Sequence, residues 1–140
     1  MKSIAFGFAV FFGVLSVGVF GASRLADFQS RAEAVLLVLP STPINAGDGK
    51  AYMQELEDVS ETLPSDQQSV LRDTVHWLGY CYGMAAARKN PEAAKEEAAS
   101  LGLALMFKHF NGKSPKDIVV HAIQMKEKYP KLWKLHVDSY

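Results

Sequence analysis

From Ile4 to Ala22 the chain runs nineteen residues without a charge, and beyond Arg24 it settles into apolar stripes spaced three and four residues apart. The first pattern is apolar on every side, whereas a helix of a globular domain needs only one apolar stripe. About 20 apolar residues, each rising about 1.5 Å, cross the roughly 30 Å of bilayer hydrocarbon. Segment 1–24 is therefore expected to be a transmembrane anchor or a signal peptide. Signal cores usually run about 7 to 15 apolar residues and turn polar before the cut. Here the run continues into Val19-Phe20-Gly21, the candidate cleavage positions, so a retained anchor through residues 4–22 is the preferred form. Lys2 on one flank nearly balances Arg24 and Arg31 on the other. The short basic tail favours the N-terminus inside and the remainder outside the cytoplasm, periplasmic or secreted if the segment is cleaved. Ala5, Ala9 and Gly13 recur every four residues, a spacing that lets two such helices approach, although small residues are common in all spans.

Residues 25–140 are expected to form a single helical domain. A helix is predicted over Leu25 to Leu39, its apolar end Ala34-Val35-Leu36-Leu37-Val38-Leu39 packing on the domain, and Pro40 to Gly49 reads as a linker. Asp48 is placed to cap a helix whose stripe is Tyr52, Leu56, Val59 and Leu63, ended by Pro64. A second helix from Ser65 carries Leu71, Val75, Leu78 and Tyr82, widened by Trp77 and Cys81. Its latter half, Trp77 to Ala87, is nearly all apolar or small, which marks it as the central core helix, with Gly79 and Gly83 admitting a close neighbour. Asn90-Pro91 predicts the next start, with proline at the first helical position, and Asn111-Gly112 a left-handed terminator. Ser114-Pro115 with Asp117 resembles a shortened capping box, opening a helix with Ile118, Ala122, Met125 and Tyr129 inward until Pro130. No segment alternates as a half-buried strand would. The fold class is all-α: an N-terminal hydrophobic membrane helix followed by an irregular bundle of four or five helices.

Charge narrows the functional classes. Fifteen basic side chains against fifteen acidic ones leave no general field to draw nucleic acid. The single cysteine, Cys81, cannot staple the fold and has no zinc-site spacing, and on an apolar stripe it reads as a small buried hydrophobe. His76, His109, His121 and His136 are scattered over different helices, with no pair four residues apart, so no shared metal is suggested. Gly112-Lys113-Ser114 superficially resembles a phosphate loop, but Phe107 stands where the first glycine is required and no strand precedes it. Gly47-Asp48-Gly49-Lys50 fails similarly as a dinucleotide turn. Glu55, Glu57, Asp58 and Glu61, like Glu92, Glu96 and Glu97, read as solvated helix faces. No residue is nominated as catalytic, cofactor-binding or metal-ligating, and no cofactor is implied. The C-terminal stretch is locally basic: Lys113, Lys116, Lys126, Lys128, Lys131 and Lys134 stand against Asp117, Glu127 and Asp138, with Tyr129 and Trp133 interleaved. Such a stretch can rest on an anionic membrane, although a solvated terminal helix explains it more simply.

Two stretches carry a resemblance: Ile44-Asn45 to Asp48 leading on to Ser60-Glu61-Thr62-Leu63-Pro64-Ser65-Asp66-Gln67-Gln68, and Phe110-Asn111-Gly112-Lys113-Ser114-Pro115-Lys116-Asp117-Ile118-Val119. Over about residues 44–123 the chain resembles a family of small bacterial proteins described as lipoproteins, of unknown function. The resemblance implies a helix, a break, a long apolar helix and a late turn before a further helix. It implies no catalytic residue. The chain departs from it in having no lipid-attachment cysteine after the leading apolar run.

These readings point to a non-enzymatic cell-envelope protein: a membrane-tethered helical domain acting as a protein-interaction module. The alternative is a small-molecule or lipid binder with a pocket among Trp77, Tyr80, Tyr82, Met84, Met106 and Phe107, residues that amphipathic helices more often bury as core. The expected partners are the membrane through residues 4–22 and another protein, with no nucleic acid.

Overall fold

The computed structural model of the chain describes residues 25–89, 91–92 and 95–139. The expected membrane segment 1–24 and the expected cap Asn90 lie outside them. Within the described residues the secondary structure is entirely helical: α1 (Phe28–Val35), α2 (Gly49–Glu61), α3 (Gln68–Lys89), α4 (Lys95–Phe110), α5 (Pro115–Lys128) and α6 (Pro130–Asp138). None of these is long and apolar enough to cross a membrane.

Local chemistry explains most boundaries. The Asp48 carboxylate accepts from the Ala51 N–H at 2.8 Å and closes the start of α2, satisfying one of the donors that a first helical turn leaves open. At α5 the capping box is complete: the Asp117 N–H donates to Ser114 Oγ at 3.1 Å, and the Ser114 N–H donates to Asp117 Oδ2 at 3.2 Å. Gly112 has φ +89°, a left-handed conformation open to glycine without the Cβ penalty.

Six helices in the described residues, rather than the expected four or five, follow from Pro130. A residue before proline is pushed out of the helical region, and Tyr129 sits at φ −126°, ψ 65°, ending α5. The proline then occupies the first position of α6, where its missing N–H costs no bond. Expectation and structure also part at Pro91, which with Glu92 forms a turn, and the described part of α4 runs from Lys95. A fixed φ suits a turn as well as a first helical position. The helix predicted over 25–39 yields α1 as a helix of only two turns, followed by a turn through Val38.

α3 is the axis of the bundle, and every other described helix packs on it. The buried part lies earlier than the apolar density suggests. Val70 to Val75 are buried all round, Arg72 and Asp73 included, whereas Met84 is 39% exposed. The core joins Phe28, Ala32 and Val35 of α1, Tyr52, Met53 and Leu56 of α2, Met106 and Phe110 of α4, and Ile118, Val119 and Ala122 of α5 around α3's Leu71, Val75, Trp77 and Leu78. α3 and α4 touch backbone to backbone. A Cβ built on Gly102 would lie 2.5 Å from Gly83 N.

Candidate functional site

The linker before α2 and the turn before α5, some 65 residues apart, are stitched together. The Gly112 N–H donates to the Ile44 carbonyl at 2.7 Å, the Ile44 N–H to the Lys113 carbonyl at 3.1 Å, and the Ala46 N–H to Asn111 Oδ1 at 2.9 Å. Ile44 is buried in the process, and Tyr52 meets Phe107 edge-on, with ring centroids 5.8 Å apart. Gly112-Lys113-Ser114 thus serves as turn and cap, its Ser114 hydroxyl engaged with α5. Gly47 and Asp48 serve the start of α2.

Beside this junction a set of rings assembles from three helices. His109 at the end of α4 and His121 of α5 stand 5.3 Å apart, with Phe110 at 4.8 Å and 5.1 Å from them and Tyr82 of α3 at 6.1 Å from His109. Burial lowers the His121 pKa, and the charges of His109 and Lys113 push it the same way. Burial among rings disfavours the charged form of this imidazole, which packs here as an aromatic group. The pairing went unseen in the sequence because its two members are 12 positions apart. The signal available was the four-residue turn 111–114, which folds α5 back beside the last turn of α4.

A second ring set lies where α6 crosses α3. The Trp77 indole donates to the Ala122 carbonyl at 3.0 Å and stands edge-on to Trp133 at 5.0 Å. His136 packs between Tyr80 at 5.0 Å, Trp77 at 5.5 Å and Trp133 at 5.7 Å. Burial, and then the nearby His76, lower its pKa to about 4. Phe28 of α1 closes the set at 5.3 Å from Trp133. Trp133, read from the sequence as a surface tryptophan, is partly buried here.

The most polar interior feature was not anticipated. Arg31 of α1 donates to Asp73 Oδ2 at 3.1 Å and to Ser69 Oγ at 3.0 Å, and Arg72 Nε lies 3.8 Å from Asp73 Oδ1. Asp73 is 1% exposed. A carboxylate so placed is tolerated because guanidinium groups replace the lost water, an arrangement that anchors α1 to α3.

Chemically these clusters are modest. Cys81 is buried, and burial pushes its thiol up to about 12 despite a backbone hydrogen bond acting the other way, which suppresses the nucleophilic thiolate. Burial also raises the Tyr82 hydroxyl, with Cys81 adding to it. The pKa of Glu57 on α2 is raised by partial burial and then by the charges of its neighbours Glu61 and Asp58. Among the described residues no three His, Cys, Asp or Glu side chains converge as a metal site.

What remains at the surface is more telling. Leu37 is 87% exposed and Val38 55%, an adjacent apolar pair between α1 and the linker. This corrects the expectation that the whole run 34–39 packs inward. With α1 ending at Val35, the following turn directs Leu39 into the core and leaves Leu37 and Val38 outside. The chain matches no family model, no curated protein and no solved structure.

Proposed function

We propose that this protein is a non-enzymatic, membrane-tethered helical module of the cell envelope that binds another protein, its N-terminal run serving as the tether. The observation that carries the binding reading is the exposed Leu37-Val38 pair. Two large aliphatic side chains side by side in water cost free energy that a partner's apolar surface recovers, at about 25 cal/mol per Å² covered. Their position at the rim of the stitched linker gives them a fixed platform, and pre-ordered contacts lose less entropy on association. The tether rests on the nineteen uncharged residues 4–22.

The test is in-membrane cross-linking of the full chain from its host, compared with a Leu37→Asp/Val38→Asp variant of unchanged helicity. One adduct formed reproducibly by the native chain and lost in the variant is the expected result. Adducts indifferent to the substitution would overturn the reading. The small-molecule alternative draws no comparable support. Trp77 and Met106 are in the core, and Tyr80, Tyr82 and Phe107 pack against it.

A further inference from the structure

Lys126, Lys128, Lys131 and Lys134 of the basic C-terminal stretch lie at the same end of the molecule as the first described residues, which follow the N-terminal run in sequence. Phe28 packs on Trp133 at 5.3 Å, the Lys126 ammonium donates to Gln29 Oε1 at 2.9 Å, and Gln29 Nε2 approaches Glu127 Oε1 at 3.5 Å. The first described turn is therefore docked on the end of α5 and on α6. Only Ser23 and Arg24 separate the uncharged run from Leu25. Three chain steps of about 3.5 Å each reach no further than about 10 Å. A chain inserted through residues 4–22 must then hold this end of the bundle at the level of the lipid headgroups.

The surface found there is suited to that position. α6 turns His136 inward and partly buries Leu132 and Trp133, so that Lys131, Lys134 and Leu135 face outward. Leu135 is 54% exposed and Tyr129, immediately before the helix, 41%. Lys128 is exposed with its ammonium 5.4 Å from the Tyr129 ring. Against Lys126, Lys128, Lys131 and Lys134, residues 126–138 carry Glu127 and Asp138, the latter already bridged to Lys134 at 3.2 Å, and the docked α1 segment adds Asp27 and Glu33. A tyrosine and a leucine within a ring of lysines is the composition of a surface that sits at the headgroup boundary, with apolar groups dipping and ammonium groups pairing with phosphates.

We propose that the outward face formed by Lys128, Tyr129, Lys131, Lys134 and Leu135 is a docking face for anionic phospholipid, laid on the same bilayer that the N-terminal run enters. It rests on the tether reading, because the tether supplies the proximity. It fixes the orientation of the module: α6 lies along the membrane, and one end of the bundle is closed to other partners.

The experiment places a nitroxide on the full chain at Leu135→Cys and, separately, at Gln54→Cys on α2, a helix that packs on α3 and α4. Cys81 is 5% exposed and stays unlabelled. The chain is reconstituted in vesicles of phosphatidylcholine alone or with phosphatidylglycerol added. In the anionic vesicles position 135 should lose access to a water-soluble nickel chelate and gain access to oxygen, while position 54 stays wet. Each lysine near an anionic surface multiplies local partition about fivefold, so K128E/K131E/K134E, or raised salt, should return position 135 to water. Position 135 equally wet in both vesicle types, or both positions responding alike, would overturn the face. Flotation with phosphatidylcholine vesicles reads the tether separately. A chain left in solution there removes the tether and the face with it, whereas a chain that floats while position 135 stays wet removes the face alone.

Discussion

Gly102 and Gly83 meet at one helix crossing but should respond to the same substitution with opposite signs. A Cβ at Gly102 would stand 2.5 Å from Gly83 N, 2.6 Å from Gly83 Cα and 2.9 Å from the Tyr82 carbonyl carbon. All three are backbone atoms, so no side chain can swing aside. Relief requires α3 and α4 to separate by about 0.9 Å to restore the 3.4 Å of ordinary contact. That movement loosens Met106 and Phe110 against Val75 and Leu78, and forced overpacking of a filled core costs about 1 to 3 kcal/mol. Replacing a mid-helix glycine with alanine would otherwise gain about 1 kcal/mol. Because the clash is with backbone, the upper part of the overpacking range applies, and Gly102→Ala should lose about 2 kcal/mol net. Gly83→Ala meets nothing within 4 Å, and should gain up to about 1 kcal/mol from propensity alone. Urea unfolding of the full chain in a mild non-ionic detergent, followed by far-ultraviolet circular dichroism, measures both. The difference of about 3 kcal/mol exceeds the extrapolation error of the method. A Gly102→Ala protein as stable as the native one would show that the close crossing does not govern the α3–α4 pair.

The remaining predictions use the same unfolding assay. His136 has its pKa lowered from 6.5 to about 4 in the fold, so protonation favours the unfolded chain. The stabilisation it brings is complete above about pH 6.5 and fades as pH falls toward 4. By linkage the native protein should lose about 2 kcal/mol between pH 7 and pH 5. His136→Phe should remove most of that slope, leaving a residue from His121, and an unchanged slope in the variant would refute the assignment. Asp73→Ala takes away the carboxylate shared by Arg31 and Arg72 and should cost about 3 kcal/mol, as breaking a buried pair does; a loss below about 1 kcal/mol would mean that the pair is not what fixes α1. Gly112→Ala forces a side chain to φ +89° and should cost about 1 to 2 kcal/mol, whereas a D-alanine introduced there by semisynthesis should restore stability.

The legible parts of the fold were those written in neighbouring residues. Asp48 and Ser114 with Asp117 act through atoms three positions away along the chain, and Gly112 ends α4 through its own backbone angle, so caps and terminators could be read directly. The interior position of α3 also showed, because its stripe is too wide for one solvated side. Features that depend on distant segments did not show. Arg31 and Asp73 are 42 positions apart, and each alone is indistinguishable from a solvated charge. Pro130 carried two meanings, a stop for α5 and a start for α6, and sequence spacing does not decide between them. Leu37 and Val38 belong to an unbroken apolar run, and only the end of α1 at Val35 decides which of its members turn outward.

The two stretches from Ile44 to Gln68 and from Phe110 to Val119 are rich in caps and turns, a type of motif that recurs in many helical proteins. In space, parts of both form one structure: Ile44 and Ala46 bond to Asn111, Gly112 and Lys113. That contact gives a physical reason for their residue types. Asn111 must present a short side-chain carbonyl to the Ala46 N–H, Gly112 must turn left-handed to aim its own N–H at Ile44, and Ser114 must restart the helix two residues later. The pattern therefore describes how a linker is pinned to a helical corner, and a protein could keep it while changing every surface used for binding. On this argument the specificity of the module should be sought outside the stitched junction, at Leu37-Val38 for the protein partner and, for the lipid surface, along α6. A graft of those positions, and not of residues 44–48 or 111–117, is what would transfer binding to another scaffold of the same build.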